Sequence, residues 1–455
     1  MAPLRIVLSN QLAIHHCPED LKADLMERFT FANPKWVENH RMGRWNRGTP
    51  KMLRYFRRFG GHGIRIPRGY TRQLLLKCRK KELVYRLENR CRKFETNRLQ
   101  FHGRLKPFQH KAVTTMLKRR FGTLTAPTGS GKTVMALAMV AARKQPTLVV
   151  VHTKDLAHQW IERIETFCRI PPNEIGMIGG GQNRLGQTIT IAMVQSLYKQ
   201  ATDVSKEIGY LLVDECHRCP SRTFTEAVKA FDAQYMTGLS ATPWRRDQLS
   251  KLIFWYLGDV HHEVDQKKLE ATGDILKAEA VIRPTRFKPY FDPVQEYSKM
   301  LSELTQDNKR NRLIASDVAQ EAQSTQGVIL VLSDRKKHCQ ALYSLIHYGH
   351  GVAAEVLTGD LKATERREIV QRVNAGSVRV LIATGQLVGE GFDCRELSTL
   401  FLATPIRFTG RLIQYLGRIL RPAPGKEYAR VYDYVDSAVA PLLKAARARQ
   451  RIYLQ

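Results

Sequence analysis

The sequence lacks the features that would place it in a membrane or outside the cell. Nowhere in its 455 residues do about 18 apolar residues run together, so we expect no membrane-spanning helix. Its eight cysteines are irregularly spaced and do not resemble the disulfide framework of a small secreted protein. The opening MAPLRIVLSN has no charged leader followed by an apolar segment, so we expect no signal peptide. We therefore expect a soluble protein in a reducing compartment.

Acidic residues are scarce relative to basic ones. There are 42 aspartates and glutamates against 73 lysines and arginines, which gives a net charge of +31. Residues 1–100 alone carry 23 basic and 8 acidic residues, and Glu38 is the only acid between Lys35 and Lys81. A chain with this excess usually associates with a polyanion, first of all nucleic acid, although a plain surplus of solvated lysines is the alternative.

The sequence pattern divides the chain into four segments. Residues 1–100 form a basic block in which GIRIPRGY predicts hairpins, while residues 72–94 predict one amphipathic basic helix. Continuous apolar runs separated by helical stretches fill residues 101–280 and 281–440, and predict two parallel sheets covered by helices on both faces. Residues 441–455 predict a basic helical tail. The expected fold class is α/β, with two tandem parallel-sheet domains behind a small basic α+β domain.

The segment LTAPTGSGKTVMAL follows a predicted strand and opens a predicted helix, as phosphate-binding loops do. Its glycines let backbone N–H groups turn toward phosphate oxygens at the positive end of the helix. Lys132 would reach the terminal phosphates and Thr133 would offer its hydroxyl to magnesium, whereas Ala126 replaces the first glycine of the general pattern. The predicted cofactors are therefore ATP and Mg²⁺. The loop residues predicted to bind them are Thr128, Gly129, Ser130, Gly131, Lys132 and Thr133.

The stretch YLLVDECHRCPS allows two interpretations: half of a zinc site, or the acidic pair that holds magnesium. A tetrahedral zinc site needs four ligands, whereas Cys216 and Cys219 supply two and His217 would strain a short loop. A strand that ends in Asp214 and Glu215, in a chain with a phosphate loop, favours magnesium, because hard cations prefer oxygen ligands. Asp214 would hold the metal and Glu215 would polarise the attacking water. We predict no zinc.

The segment QYLGRILRP places Arg418 and Arg421 three residues apart, and hence on one helix face. Arginines in this position would stabilise charge that develops on the transferred phosphoryl group. Alone, GRILR is more often a solvated basic face. Because this segment follows a second α/β pattern and a phosphate loop, we predict the catalytic role for Arg418 and Arg421.

With these motifs in order, residues 101–440 resemble the superfamily 2 DExH-type helicases and translocases. The resemblance rests on LKPFQHKAV, APTGSGKT, VVVHTKDLAHQW, IAMVQSL, DECH, GLSATP, VLIATGQLVGEGFDCREL and QYLGRILR. GRILRP, GEGFD and ATPWRRD are most similar to XPB-type repair helicases and phage UvsW-type branch-migration helicases, and they overlap with restriction-enzyme motors. The XPB branch has Arg-Glu-Asp where this chain has Arg245-Arg246-Asp247.

The resemblance implies two RecA-like domains and further residue roles. Gln109 would read the adenine, and Gly389 and Asp393 would contact the nucleotide. Coupling between the ATP site and the nucleic-acid track would involve His217, Ser240, Thr242 and Gln414. The track itself would be contacted by His152, Lys154, Gln195, Arg335, Thr358 and Thr384. From charge alone, we add as nucleic-acid contacts of the basic block Arg44, Arg57, Arg58, Arg65 and Arg68. Its aromatic residues are either core or base-stacking: Trp36, Trp45, Tyr55, Phe56, Phe59 and Tyr70.

These expectations converge on an ATP-dependent DNA helicase or translocase that remodels branched or forked DNA, in branch migration, fork regression, repair or recombination. Such an enzyme would work in the cytoplasm of a bacterium or a phage-infected cell, with a monomeric motor as one option. An RNA helicase is an alternative because DECH fits both substrates. A restriction or defence motor would need a separate nuclease chain. A basic scaffold with an inactive nucleotide site conflicts with the intact Lys132, Asp214 and Glu215.

Overall fold

The computed structural model describes residues 3–218, 222–241, 249–385, 394, 396–406, 412, 415–417, 419–423, 426 and 428–453. Contacts divide the chain into two compact units, which are Met1–Pro127 with Gly131–Val264, and Thr128–Ser130 with Asp265–Gln455. The first unit holds the basic block and one α/β domain, and the second unit holds another α/β domain. Within the described ranges, no helix is both long and apolar enough to cross a membrane.

The basic block is built on a five-stranded sheet with the strand order β5-β6-β2-β1-β7. Its strands, including the separate β3-β4 pair, are β1 (Leu4–Leu8), β2 (Gln11–His15), β3 (Thr30–Ala32), β4 (Met52–Arg54), β5 (Arg57–Phe59), β6 (Gly63–Pro67) and β7 (Tyr85–Asn89). Its helices are α1 (Glu19–Arg28), α2 (Pro34–Arg41) and α3 (Thr71–Lys80). The antiparallel pairing of β5 with β6 confirms the predicted hairpin.

The predicted helix over residues 72–94 is wrong in its second half. Helix α3 ends at Lys80, and β7 then pairs in parallel with β1. The turn between them passes through Glu82, whose φ of 53° lies in the left-handed region. Amphipathic spacing could not reveal this, because the pairing with β1 joins segments about 80 residues apart and overrides local helix propensity.

The basic block and the first α/β domain share one hydrophobic core. The ring of Phe29 lies 4.5 Å from that of Trp255, centroid to centroid, and Lys251 lies over the Phe31 ring. Gly69 approaches so closely that a Cβ there would lie 2.6 Å from the backbone nitrogen of Gly258. Only glycine fits this contact, so the two parts of the first unit meet backbone to backbone.

The first α/β domain contains an eight-stranded sheet in the order β11-β10-β12-β9-β13-β14-β8-β15, parallel except for the β10-β11 pair. Its strands are β8 (Phe121–Thr125), β9 (Thr147–Val151), β10 (Gly176–Gly179), β11 (Gln182–Arg184), β12 (Ile189–Met193), β13 (Tyr210–Val213), β14 (Tyr235–Ser240) and β15 (Val260–Glu263). Its helices are α4 (Pro107–Leu117), α5 (Lys132–Arg143), α6 (Lys154–Cys168), α7 (Val194–Leu197), α8 (Ala201–Val204), α9 (Arg222–Lys229) and α10 (Ser250–Leu257).

The second α/β domain contains a six-stranded, all-parallel sheet in the order β16-β21-β20-β17-β19-β18. Its strands are β16 (Ala278–Thr285), β17 (Val328–Ser333), β18 (Ala354–Leu357), β19 (Val380–Thr384), β20 (Leu397–Leu402) and β21 (Ala429–Asp436). The described helices of this unit are α11 (Gln266–Ala271), α12 (Tyr297–Gln306), α13 (Asn308–Ser324), α14 (Lys336–Ser344), α15 (Ala363–Asn374) and α16 (Ala440–Tyr453). The α/β fold class with two parallel-sheet domains is confirmed, and α16 supplies the predicted helical tail.

Candidate ATP and nucleic-acid site

Three adjacent parallel strands bring the main ATP-site motifs of the first unit to one sheet edge. β13, β14 and β8 are neighbours, and the predicted acidic pair, Ser240 and the phosphate loop follow or end these strands in that order. The Ala126 amide donates to the Ser240 carbonyl at 3.0 Å, which joins the loop to the end of β14. Ligands of open α/β sheets bind at the carboxyl ends of the strands, so this edge is the expected place for a nucleotide.

The phosphate loop closes around its own lysine. Lys132 is buried, and its Nζ donates to the carbonyl oxygens of Ala126 at 3.1 Å and Pro127 at 3.5 Å. Gly131 caps α5 in the left-handed conformation, and a Cβ there would lie 2.5 Å from the Nε2 of Gln109. Gln109 is therefore packed against the loop, and its contact with the adenine stays a prediction.

The Asp214 carboxylate is buried and held by two donors. Its Oδ2 accepts a hydrogen bond from the Trp160 indole Nε1 at 2.8 Å, and its Oδ1 accepts from the Glu215 amide at 2.8 Å. Burial, and after it the adjacent Glu215 carboxylate, raise the pKa of Asp214 to about 6, although Trp160 and Lys132 oppose the rise. Two neighbouring carboxylates in a desolvated site favour a cation nearby, because positive charge lowers the cost of keeping both ionised.

Glu215 and Ser240 are connected through His217. The Nδ1 atom of His217 lies 3.1 Å from Glu215 Oε2 and 3.1 Å from Ser240 Oγ. Glu215 also has a φ of 47°, in the left-handed region that a non-glycine residue rarely adopts. Strained backbone of this kind persists where the surroundings fix it, and it is often associated with functional sites. The next residue, Cys216, is fully buried, while Cys219 lies outside the described residues.

The residues present fit a magnesium-bound nucleoside triphosphate. The Thr128 hydroxyl is buried and has no hydrogen-bond partner in the described part of the chain, and Gly129 has a φ of 88°. Successive backbone amides in such turns form anion-binding concavities at a helix N-terminus. Thr133 lies in the first turn of α5, half-buried. Asp214 supplies the oxygen donor that a hard cation prefers.

The predicted track residues of the first unit lie together at one end of its sheet. His152 follows β9, Lys154 begins α6, and Gln195 lies in α7 after β12, the neighbour of β9. Gln195 Nε2 donates to the His152 carbonyl at 3.4 Å. The side chain of Lys154 runs beside Gly180, where a Cβ would lie 3.5 Å from Lys154 Cε.

In the second unit, three predicted track residues also share one sheet edge. Arg335, Thr358 and Thr384 follow or end β17, β18 and β19, which are adjacent parallel strands. Arg335 is positioned by Ser298, whose Oγ accepts a hydrogen bond from its Nη2 at 3.1 Å. The geometry brings these three positions together, and their contact with nucleic acid stays a prediction.

Several predicted residues lie outside the described part of the chain. These are Thr242, Gly389, Asp393, Gln414 and Arg418, together with the triplet Arg245-Arg246-Asp247. Arg421 is described, and its carbonyl accepts a hydrogen bond from Lys426 Nζ at 2.8 Å. Its catalytic role stays a prediction.

In the basic block, four of the five predicted arginines are exposed. They are Arg44, Arg57, Arg58 and Arg65, and none of them makes an ion pair within the described ranges. Arg57 lies directly opposite Arg65 on neighbouring antiparallel strands, so the two side chains share one face of the sheet. This pairing of like charges is destabilising unless something neutralises it.

The prediction that Arg68 binds nucleic acid is wrong. Arg68 is 1% exposed, and its Nη1 donates to the Phe231 carbonyl at 2.7 Å and its Nη2 to the Ala233 carbonyl at 2.5 Å. Its guanidinium also lies over the Phe121 ring, 4.4 Å from the centroid. Burial lowers the pKa of Arg68 to about 10. The residue joins the basic block to the first α/β domain and does not reach a ligand surface.

Trp160 is a site residue that our sequence interpretation missed. It lies in α6 and is 1% exposed, and the tertiary fold brings its indole N–H to the Asp214 carboxylate. A usable signal existed in VVVHTKDLAHQW, because a buried indole N–H can only donate and requires an acceptor. Nothing in the spacing identified Asp214 as that acceptor.

The fold and the site define a class: a nucleotide-dependent motor with a phosphate loop, an acidic pair and tandem parallel-sheet domains. The family model described as Type III restriction enzyme, res subunit, matches residues 102–245. The model described as Helicase conserved C-terminal domain matches residues 308–423. The chain belongs to the superfamily 2 helicases and is an ATP-dependent helicase, as the motif order predicted.

Individual relatives differ in the nucleic acid that their names mention. DNA 3'-5' translocase XPB2 of Sulfurisphaera tokodaii is 27% identical over 349 residues, covering 70% of this chain and 78% of its own. L396 of Acanthamoeba polyphaga mimivirus, named as a candidate ATP-dependent RNA helicase, is 28% identical over 375 residues. The match covers 78% of this chain and 68% of the relative. A fragment of a candidate HsdR subunit of a type I restriction enzyme from Vibrio vulnificus YJ016 shares the fold, with a TM-score of 0.57 and 18% identity over 75% of this chain and 66% of that one.

Proposed function

We propose that this helicase is a DNA translocase that remodels branched or forked DNA, in branch migration, fork regression, repair or recombination, in the cytoplasm of a bacterial or phage-infected cell. The observation that carries the proposal is the exposed arginine face of the basic block, where Arg57 opposes Arg65 across β5 and β6. A phosphate backbone would neutralise these charges and so offset their mutual repulsion. The name of the Sulfurisphaera relative supports DNA as the substrate.

The proposed chemistry uses the residues at the edge of the first sheet. Lys132 holds the terminal phosphates, and Thr133 and Asp214 hold the magnesium ion. When bound, Mg²⁺ would neutralise charge on the phosphate oxygens. Glu215 orients the attacking water and accepts its proton, since its carboxylate interacts electrostatically with that of Asp214 and contacts His217. Arg418 and Arg421 are proposed to supply positive charge at the terminal phosphate.

Nucleic-acid contacts in this proposal are made in two ways. The track residues on both sheets, such as Lys154 and Arg335, contact phosphates and sugars, which carry little sequence information. The basic block adds an electrostatic contact whose affinity falls steeply as salt rises, because each neutralised phosphate releases condensed counterions. Binding should therefore depend on the shape of the substrate and on salt more than on base sequence.

The test is a substrate panel on the purified full chain. ATP hydrolysis and reaction products are measured with linear duplex DNA, a forked duplex, a four-way junction and RNA of matched length. We expect the fork and the junction to stimulate hydrolysis most and to be converted to migrated or regressed products. Strongest stimulation by RNA would favour an RNA helicase, and equal stimulation by linear duplex without product conversion would favour a translocating motor of a restriction complex.

A further inference from the structure

Trp45 is the one exposed residue among the six candidate base-stacking aromatic residues of the basic block. Its side chain is 83% exposed, on the loop between α2 and β4. The other five, Trp36, Tyr55, Phe56, Phe59 and Tyr70, are buried or half-buried. We propose that Trp45 stacks on an unpaired nucleobase at a fork or junction, an inference that rests on the proposed DNA-remodelling function.

The loop that carries Trp45 is held in place on both sides of the ring. The Arg44 amide donates to the Asn39 carbonyl at 2.8 Å, and Asn46 Nδ2 donates to the Trp36 carbonyl at 3.2 Å. Asn39 Nδ2 also donates to Asn46 Oδ1 at 3.1 Å. Because these bonds tie the loop to α2, the indole is presented by ordered backbone, and stacking loses little conformational entropy.

One cation lies over the Trp45 ring, and further basic residues belong to the same segment. The Arg47 guanidinium lies 5.9 Å from the Trp45 ring centroid, and the Lys51 ammonium lies 5.4 Å from the centroid of Trp36. Arg44 is exposed next to them. Proteins that bind single strands combine a stacking ring for the base with positive charge for the backbone. This loop provides both within a few residues.

The composition of the surface favours nucleic acid over a protein partner. Val37, Met42 and Met52 are also exposed, as they would be at a protein interface. The sequence has no acidic residue from Asn39 to Lys81, however, and the exposed Glu38 is the one acid between Lys35 and Lys81, so this stretch is strongly basic. A polyanion with unstacked bases matches both features, whereas a protein interface usually mixes charges of both signs.

The experiment compares two DNA ligands with three variants of the full chain. Dissociation constants without ATP are measured by anisotropy for a fluorescein-labelled fork with unpaired arms and for a blunt duplex of the same paired length. The variants are Trp45→Ala, Trp45→Phe and Val84→Ala. Val84 is a matched control because it is 77% exposed and apolar but lies before β7, away from the loop. Thermal melting confirms that each variant folds.

We expect Trp45→Ala to weaken fork binding about tenfold and duplex binding less than about twofold, as removal of one stacking contact predicts. Trp45→Phe should recover most of the fork affinity, and Val84→Ala should leave both affinities unchanged. An unchanged fork affinity in Trp45→Ala overturns the proposal and points to a protein partner, and equal loss on both ligands also overturns it. If the wild-type ATPase responds only to RNA, the proposed function fails. The loss of affinity in Trp45→Ala for an RNA fork, compared with that for an RNA duplex, then decides the stacking role.

Discussion

The Nδ1 atom of His217 lies 3.1 Å from Ser240 Oγ, and the same nitrogen lies 3.1 Å from Glu215 Oε2. One imidazole therefore contacts both the acidic pair and the end of β14. Rotation of this ring, or a change in its hydrogen bonding, would therefore alter the contacts of both Glu215 and Ser240.

We predict that His217→Ala separates hydrolysis from its stimulation by nucleic acid. Basal ATPase activity should persist, while stimulation by the best substrate falls about tenfold, which is an ordinary coupling free energy between two sites. Steady-state ATPase assays with and without DNA measure the ratio. Ser240→Ala, which removes only the contact between His217 and Ser240, should also lower the stimulation, but by less. Normal stimulation in both variants would contradict the coupling role.

A second prediction concerns the two residues assigned to phosphate and water. Lys132→Ala and Glu215→Gln should each lower kcat by at least about 100-fold, the usual cost of losing a charge-stabilising or base-like group. Their binding behaviour should differ, because the lysine contacts the ligand and the glutamate acts on water. Fluorescent-nucleotide titration should therefore show lost affinity in Lys132→Ala and retained affinity in Glu215→Gln. Turnover at the wild-type rate in Glu215→Gln would remove it from the mechanism.

Trp160→Phe should slow ATP hydrolysis indirectly, through its effect on Asp214. Burial and Glu215 raise the pKa of Asp214, and the indole hydrogen bond opposes that rise. Loss of the bond should raise this pKa further, so the acid limb of the kcat profile moves to higher pH. It should also lower kcat about tenfold near neutral pH, as loss of a hydrogen bond to a charged group predicts. An unshifted pH profile together with a lower melting temperature would indicate a purely structural role.

Arg68→Leu tests the connection between the basic block and the first α/β domain. The change leaves the carbonyls of Phe231 and Ala233 without their donor, which should cost about 3 kcal/mol of stability. Urea denaturation followed by tryptophan fluorescence reports it, because Trp255 lies in the shared core. The exposed Arg58→Leu is the matched control, with an expected change within about 0.5 kcal/mol. Equal effects of the two substitutions would contradict the buried role of Arg68.

His338 should make the second unit sensitive to acid. Burial, with a smaller contribution from Arg310, lowers the pKa of His338 from 6.5 to about 3. Its Nε2 lies 2.8 Å from Asn311 Oδ1 and its Nδ1 lies 2.9 Å from Ser333 Oγ, contacts that suit the neutral ring. The unfolded chain takes up this proton below about pH 6.5 while the folded chain does not, so stability falls as pH drops toward 3.

The expected loss for His338 between neutral pH and about pH 5 is about 2 kcal/mol. Hydrogen exchange of peptides from β17 and α14 measures it in the intact chain. His338→Gln should be less stable at neutral pH and should lack this part of the pH slope. An equal slope in wild type and variant would assign the acid sensitivity to other groups.

Parallel strands were predictable because both faces of each sheet are covered, which makes runs such as VILVLS continuously apolar. The phosphate loop and acidic pair were predictable for a related reason: their spacing is required by the ligand rather than by the packing. Strand ends then fix which motifs meet, and β14 between β13 and β8 brings Ser240 beside Ala126.

Contacts that depend on distant partners could not be predicted. Arg68 looks like its exposed neighbour Arg65, and only the packing of the block against Phe231 and Ala233 distinguishes the two. Strand β7 was assigned to a helix because its pairing with β1 leaves no local signal. Trp160 was overlooked for the same reason, since its acceptor is 54 residues away in the chain.

The continuous core beneath the basic block has a practical consequence for protein engineering. A shortened motor that begins after residue 100 would leave Trp255, Tyr256 and neighbouring apolar side chains without the Phe29 and Tyr55 rings that pack on them. Such a fragment should aggregate or require detergent, even though every ATP-site motif remains in it. Grafting experiments that exchange substrate preference between related motors should therefore cut after Val264, and transfer the preceding stretch as one cassette.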